Sequence, residues 1–206
     1  MKIDRKSEMW NKVKRAYIYL LCVMAVAEVA LVLMSWLLSA TMTEGVRSML
    51  SGEGVRWFFG SFVHMMLSPW LVWLLLSAMA LGCLWRSGLL NISIVPSYRH
   101  RVALRTIFVV AVLYVAVIVS LTAVPHAVLL SATGQLFPSA FSRALVSIVT
   151  FGICLVSVVY GLMSGRFETL SDAVDSLSYG IAKAAPLFIL YVFIVQFLHS
   201  LLFVFF

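Results

Sequence analysis

Five apolar runs, each long enough to cross a lipid bilayer, occupy most of this 206-residue sequence. A membrane-spanning helix needs about 20 mostly apolar residues. Hydrophobic residues make up 63% of the chain and charged residues only 11%, which is too apolar for a soluble core. We therefore predict an all-α, polytopic membrane protein with five transmembrane helices. The predicted spans are residues 17–39, 67–85, 104–124, 144–163 and 184–206.

The basic residues are distributed unevenly between the two sides of these spans. Twelve of the 15 lysines and arginines lie before the first span, between the second and third, or between the fourth and fifth. The other three, Arg47, Arg56 and Arg143, lie on the opposite side. Because the basic side of a membrane protein is normally cytoplasmic, we predict a cytoplasmic N-terminus and an external C-terminus in a bacterial inner membrane. The net charge of +7 then reflects topology, and we expect no nucleic-acid partner.

Short polar connections between the spans indicate one transmembrane domain, residues 17–206, after a basic cytoplasmic tail, residues 1–16. A short additional helix is predicted at about residues 54–66. Its apolar side chains recur with the i, i+3, i+4, i+7 spacing of an amphipathic helix. We expect this helix to lie at the external surface of the membrane, in the interfacial region. Its apolar residues are Val55, Phe58, Phe59, Phe62 and Met66.

One carboxylate, Glu28, is predicted near the middle of the first span, eleven residues after Tyr17. Intramembrane carboxylates are costly and are usually paired or functional. Two interpretations stay open. In the first, a protonated Glu28 is hydrogen-bonded to a neighbouring helix and is structural. In the second, Glu28 is a proton- or substrate-coupling residue that acts with Gln196 or His199 of the fifth span, at an axial offset of roughly 6 Å from His199.

Motifs typical of enzymes are absent from the sequence. It contains no Walker A loop, no G-x-G-x-x-G after a strand, no H-E-x-x-H and no G-x-S-x-G. No pair of carboxylates shares a segment in a position for acid–base chemistry. The three cysteines, Cys22, Cys83 and Cys154, lie in different spans without metal-like spacing. We therefore expect no enzymatic activity, no cofactor and no bound metal.

Two blocks of the sequence contain distinctive glycine, proline, aromatic and acidic positions. The first, residues 51–90, contains Gly54, Arg56, Trp57, Pro69, Ser87 and Gly88. The second, residues 137–197, contains Pro138, Gly161, Asp172 and Gln196. The first block resembles the GIRWxxxxxVxNF…P…SGL stretch of the p-aminobenzoyl-glutamate transporter (AbgT) family. The second is similar to the PSPF…YGI…SDKDVV…AAQF run of the same family, in the same order.

The resemblance implies a shortened AbgT-like protein. Family members are about twice as long or more, and their re-entrant hairpins and further spans form the substrate site. The SNxASDAG-type motif of the first hairpin has no counterpart between Leu90 and Tyr98. The five spans would correspond to the first, second, fifth, sixth and seventh of the family, which form its inner, dimer-forming scaffold.

The resemblance leads to one main hypothesis and two alternatives. In the main hypothesis the chain is a scaffold that does not transport by itself, and it is an assembly or regulatory partner or a split or reduced transporter. It forms a homodimer or joins a second membrane subunit that supplies the missing modules. In the first alternative it is a small proton-linked transporter of p-aminobenzoyl-glutamate-like or other organic anions, with Glu28 as coupling residue. In the second it is a membrane subunit of an unrelated complex, docked through its basic tail and acidic inner loop.

Overall fold

The computed structural model describes residues 2–41, 45–91, 98–123 and 140–206, and the regular secondary structure in these ranges is helical. This confirms the predicted all-α fold for the described residues. A single 3-10 turn, Leu89–Asn91, follows the third helix. The helices are α1 (Lys2–Ala40), α2 (Gly52–Met66), α3 (Pro69–Ser87), α4 (Tyr98–Ala123), α5 (Ala140–Ser164) and α6 (Leu170–Phe205).

Five of these helices, α1 and α3 to α6, are long and apolar enough to cross a membrane. Large apolar side chains along them are exposed: Val23, Val26 and Val29 of α1 are 62%, 68% and 58% exposed. Such a surface is stable against lipid and unfavourable in water. The chain is therefore a multi-pass membrane protein whose helices contact the bilayer, as predicted. The direction of insertion and the interfacial position of α2 stay predictions.

Two helices begin more than ten residues before their predicted spans. α1 begins at Lys2, within the predicted tail, and α6 begins at Leu170 and continues through Pro186. A capping box begins α6, since the Asp172 carboxylate accepts a hydrogen bond of 2.9 Å from the Thr169 N–H and the Thr169 hydroxyl accepts one of 3.4 Å from the Asp172 N–H. Pro186 has no N–H and so removes one backbone hydrogen bond, which membrane helices tolerate. The helix therefore continues through Pro186, and α6 starts well before the predicted residue 184.

The described chain forms two compact units, whose boundaries lie within α3 and α6. The first unit contains residues 1–71 and 186–206. Its core is formed by Met49, Phe203 and Val204, and the Trp57 ring stacks on the Phe203 ring at a centroid distance of 4.3 Å. The Arg47 N–H donates a hydrogen bond of 3.0 Å to Val204 O. The segment after α1 is thereby attached to the last turn of α6.

The second unit contains residues 72–185, and in it α3 and the first part of α6 approach very closely. A Cβ added at Gly82 would overlap the backbone of Gly180, and a Cβ added at Gly180 would overlap the carbonyl of Ala78. Ala78 and Gly82 are four residues apart, as are Ser176 and Gly180. Small residues at this spacing on both helices let two membrane helices come into backbone contact.

α4 and α5 pack against each other in opposite directions within the second unit. The Tyr114 hydroxyl donates a hydrogen bond of 2.7 Å to Ile148 O, whereas at the other end Tyr160 Oη lies 3.3 Å from His100 Nδ1. Ala103, Ile107 and Tyr160 form the buried core of this pair. An antiparallel arrangement is expected of two consecutive membrane-spanning helices.

We expect Gly180→Ala to destabilise the fold by about 1–3 kcal/mol, because the added methyl group cannot fit against the Ala78 carbonyl. Gly60→Ala is the matched control. Nothing lies within 4 Å of a Cβ at Gly60 in α2, so alanine there should be neutral or stabilising by up to about 1 kcal/mol. Thermal unfolding of the purified chain in detergent measures both. A Gly180→Ala variant as stable as the original chain would contradict the close approach.

Candidate functional site

Three polar side chains meet between α1 and the last part of α6 in the first unit. We call Glu28, Gln196 and Ser200 the polar cluster. The Ser200 hydroxyl donates a hydrogen bond of 2.6 Å to Glu28 Oε1 and accepts one of 3.1 Å from Gln196 Nε2. Gln196 is 8% exposed and Ser200 is 0% exposed. The polar cluster therefore links two membrane-spanning helices through buried side-chain hydrogen bonds.

The register of the two helices explains how this cluster forms. Gln196 and Ser200 are four residues apart, so they lie on one face of α6. Earlier in both helices, the Tyr17 hydroxyl donates a hydrogen bond of 2.8 Å to Pro186 O. Tyr17 and Glu28 of α1 thus contact Pro186 and Ser200 of α6 in the same order, and the two helices run parallel. The first and fifth of five consecutive crossings must have the same direction, which agrees with five spans.

Two oxygens of the polar cluster, Glu28 Oε2 and Gln196 Oε1, are buried and have no hydrogen-bond partner among the described residues. Both atoms are acceptors when Glu28 is ionised. A buried unpaired acceptor costs about 1–3 kcal/mol, and more when it is charged. The polar cluster therefore leaves two acceptors unpaired within the described residues.

The polar cluster contains one ionisable group, the Glu28 carboxyl, beside two uncharged side chains. The Ser200 hydroxyl both donates and accepts, so it links the Glu28 carboxyl to the Gln196 amide. In the part of the chain that the structure describes, no group of three or more His, Cys, Asp or Glu residues is placed to hold a metal.

His199 does not share in these hydrogen bonds. Its Nδ1 lies 2.9 Å from Val195 O, one turn earlier on α6. A carbonyl oxygen only accepts, so Nδ1 is the donor and the bond stays within the helix. Of the three residues predicted from sequence, the structure joins Glu28 and Gln196. Sequence reasoning missed Ser200, which links them; its position one helical turn after Gln196 is the signal that could have identified it.

The first block of residues that resembles the AbgT motifs lies at helix ends and packed contacts. Gly54, in the first turn of α2, would place a Cβ 2.5 Å from Met49 O. Trp57 stacks on Phe203, Arg56 is exposed, and Pro69 is the first residue of α3. Proline suits that position because its missing N–H has no partner in the helix.

The remaining resemblance residues have similar surroundings. Ser87 is buried at the end of α3 and donates a hydrogen bond of 3.0 Å to Leu84 O. Gly88 follows with a φ of 78°, which favours glycine. Gly161 faces the Phe167 ring, and Asp172 caps α6. Pro138 lies outside the described residues.

Two cavities, of about 300 Å³ and 340 Å³, lie in the second unit, and their walls are almost entirely apolar. α5 lines both of them, and Val149 and Ile153 are common to the two walls. None of the sequence-predicted site residues lines either cavity. Apolar cavities of this kind suit hydrocarbon groups and offer little to a charged solute.

No protein-family model, no curated protein and no solved structure matches this chain. Function is therefore inferred from the polar cluster and from the positions of the residues that resemble the AbgT motifs.

We expect Ser200→Ala to destabilise the fold by about 0.5–2 kcal/mol, because Gln196 Nε2 and Glu28 Oε1 both lose the Ser200 hydroxyl as hydrogen-bond partner. Ser178→Ala is the matched control, since Ser178 lies on the same helix and is exposed. Its effect should stay within about 0.5 kcal/mol. Chemical or thermal unfolding in detergent provides the comparison. Equal effects of the two substitutions would show that the polar cluster does not connect the helices.

Proposed function

We propose that this multi-pass membrane protein is an AbgT-like scaffold that does not transport a solute by itself. Its role is assembly with a second copy of the chain or with another membrane subunit that supplies the transport modules. The proposed role is neither enzymatic nor cofactor-dependent. We propose that the chain lies in the bacterial inner membrane, with its N-terminus in the cytoplasm.

One observation supports this proposal above the others. Most of the described residues that resemble the AbgT motifs end helices or pack against neighbouring residues. Gly54 and Gly161 permit close contacts with Met49 and Phe167, and Trp57 stacks on Phe203. Gly88 follows the last turn of α3 with positive φ. A motif whose residues end helices and pack against neighbours is suited to holding a membrane framework together.

The continuity of the described spans supports the same role. Secondary transporters bind substrate near the middle of the membrane on interrupted helices, whose free backbone groups are ligands. Here α1, α3, α4, α5 and α6 are each assigned as one uninterrupted helix, and α6 continues through Pro186. The described spans therefore offer little free backbone to a solute.

Transport measured with the chain alone tests the scaffold role. Proteoliposomes containing the purified protein should take up labelled p-aminobenzoyl-glutamate no faster than protein-free liposomes, with or without a pH gradient. The reason is the continuous helices, which lack the unwound backbone of a substrate site. An intact AbgT-family transporter in the same liposomes is the positive control. Saturable uptake by this chain alone would contradict the scaffold role.

A second candidate function is proton-linked transport of an organic anion, and the polar cluster is the observation that favours it. Glu28 Oε2 and Gln196 Oε1 are buried without a hydrogen-bond partner among the described residues. A carboxyl in such surroundings changes its hydrogen bonding when it gains or loses a proton, which is what a coupling residue requires. In this alternative the proton bound at Glu28 is exchanged during each transport cycle.

The substitution Glu28→Gln separates the two candidate functions. Glutamine keeps the shape of the side chain and cannot titrate, so the protein should be produced in normal amounts. Under the second candidate, proton-driven uptake by the original chain should be abolished in the variant. His199→Gln is the control, because the His199 ring is bonded to its own helix. Uptake that survives Glu28→Gln would remove Glu28 as the coupling residue.

A further inference from the structure

Four exposed basic side chains lie around the ends of α3 and α5 and the beginning of α4 in the second unit. We call Arg86, Arg99, Arg166 and Lys183 the basic cluster. Arg86 is in the last turn of α3, Arg99 is in the first turn of α4, and Arg166 follows α5. Lys183 belongs to α6. Contacts within the second unit hold several of these side chains in place.

Two guanidinium groups of the basic cluster lie against glycines that follow helix ends. A Cβ added at Gly88 would lie 2.6 Å from Cζ of Arg166, and one added at Gly165 would lie 3.2 Å from Cζ of Arg99. Both glycines have positive φ, of 78° and 76°. The absence of a side chain therefore lets each guanidinium group approach the end of a helix, where the helix dipole favours a cation.

The end of α5 is a rigid support for one of these contacts. The Gly165 N–H donates a hydrogen bond of 3.2 Å to Leu162 O, and the Arg166 N–H donates one of 3.0 Å to Gly161 O. This pair of bonds is the Schellman motif, which fixes the chain direction after a helix. Arg166 therefore leaves α5 at a defined angle, toward Gly88.

The other two cations share one aromatic ring. Cζ of Arg86 lies 5.6 Å from the centroid of the Tyr179 ring, and Nζ of Lys183 lies 5.4 Å from it. Cation–π contacts orient both side chains. A cation–π contact leaves the positive charge of Arg86 in place beside Tyr179.

Acidic groups offset this charge only in part. Asp172 Oδ2 accepts hydrogen bonds from the N–H groups of Glu168 and Thr169, at 2.8 Å and 2.9 Å, and so is used in capping α6. Within the described ranges, Arg86, Arg99 and Arg166 form no salt bridge to a carboxylate. Arg86 interacts electrostatically with the Asp172 carboxylate, whereas Arg99 and Arg166 remain available to an external anion.

We propose that the basic cluster binds the phosphate of an anionic phospholipid headgroup. Guanidinium groups recognise phosphate through paired N–H donors. The cluster lies where apolar, membrane-length helices end, which is the depth of lipid headgroups rather than of bulk water. Basic pockets at the ends of transmembrane helices bind anionic lipids in this way.

Lipid retention by the full chain tests the proposal. The protein, purified in a neutral detergent, is titrated with phosphatidylglycerol or phosphatidylcholine, and bound lipid is counted by native mass spectrometry. The double variant Arg99→Gln/Arg166→Gln should bind phosphatidylglycerol about 30-fold more weakly, because each basic residue near an anionic lipid contributes a factor of about 5. Arg99→Lys/Arg166→Lys keeps the charges and should lose less.

The matched control is Arg56→Gln/Arg143→Gln, which removes the same charge from exposed residues predicted to face the other side of the membrane. It should bind phosphatidylglycerol like the original chain. An equal loss in both glutamine variants, or equal binding of phosphatidylcholine by the original chain, would overturn the proposal. So would displacement of the lipid by millimolar inorganic phosphate, which would indicate a site for a soluble anion. If the double glutamine variant does not fold, Arg99→Gln and Arg166→Gln are each compared with Arg143→Gln.

Discussion

The hydrocarbon of a bilayer offers no hydrogen-bond partner to a peptide group, so a chain that crosses it must pair its backbone groups internally. Continuous helices satisfy this condition here, and α6 loses only one backbone hydrogen bond at Pro186. At helix ends, other groups take over. Ser51 accepts a hydrogen bond from the Gly54 N–H at the start of α2, Asp172 accepts two at the start of α6, and Gly165 ends α5 in a Schellman motif.

Helices that are already surrounded by lipid gain little from hiding apolar side chains, so they associate through close packing and hydrogen bonds. Gly82 and Gly180 provide the close packing in the second unit. Tyrosine hydroxyls provide a recurring hydrogen bond, from one helix to a backbone carbonyl of another segment. Tyr17 donates to Pro186 O, Tyr114 to Ile148 O and Tyr191 to Met66 O.

The polar cluster lies within apolar helices, whereas the basic cluster lies at helix ends, and the two clusters differ in how their charged groups are surrounded. The polar cluster places one carboxyl among uncharged donors and acceptors. The basic cluster instead keeps several cations exposed at helix ends and orients them through glycines and the Tyr179 ring. The first arrangement joins two helices through hydrogen bonds. The second suits an interaction with an anion supplied from outside.

The sequence by itself determined the five membrane-length helices, because length and hydropathy are properties of each segment alone. Glu28 and Gln196 could be named because polar residues in apolar runs are costly wherever they pack. Only the tertiary structure decided that Ser200 joins them while His199 bonds to its own helix, and that Gly82 meets Gly180. Those choices depend on the rotation and register of helices distant in sequence, which no single segment encodes.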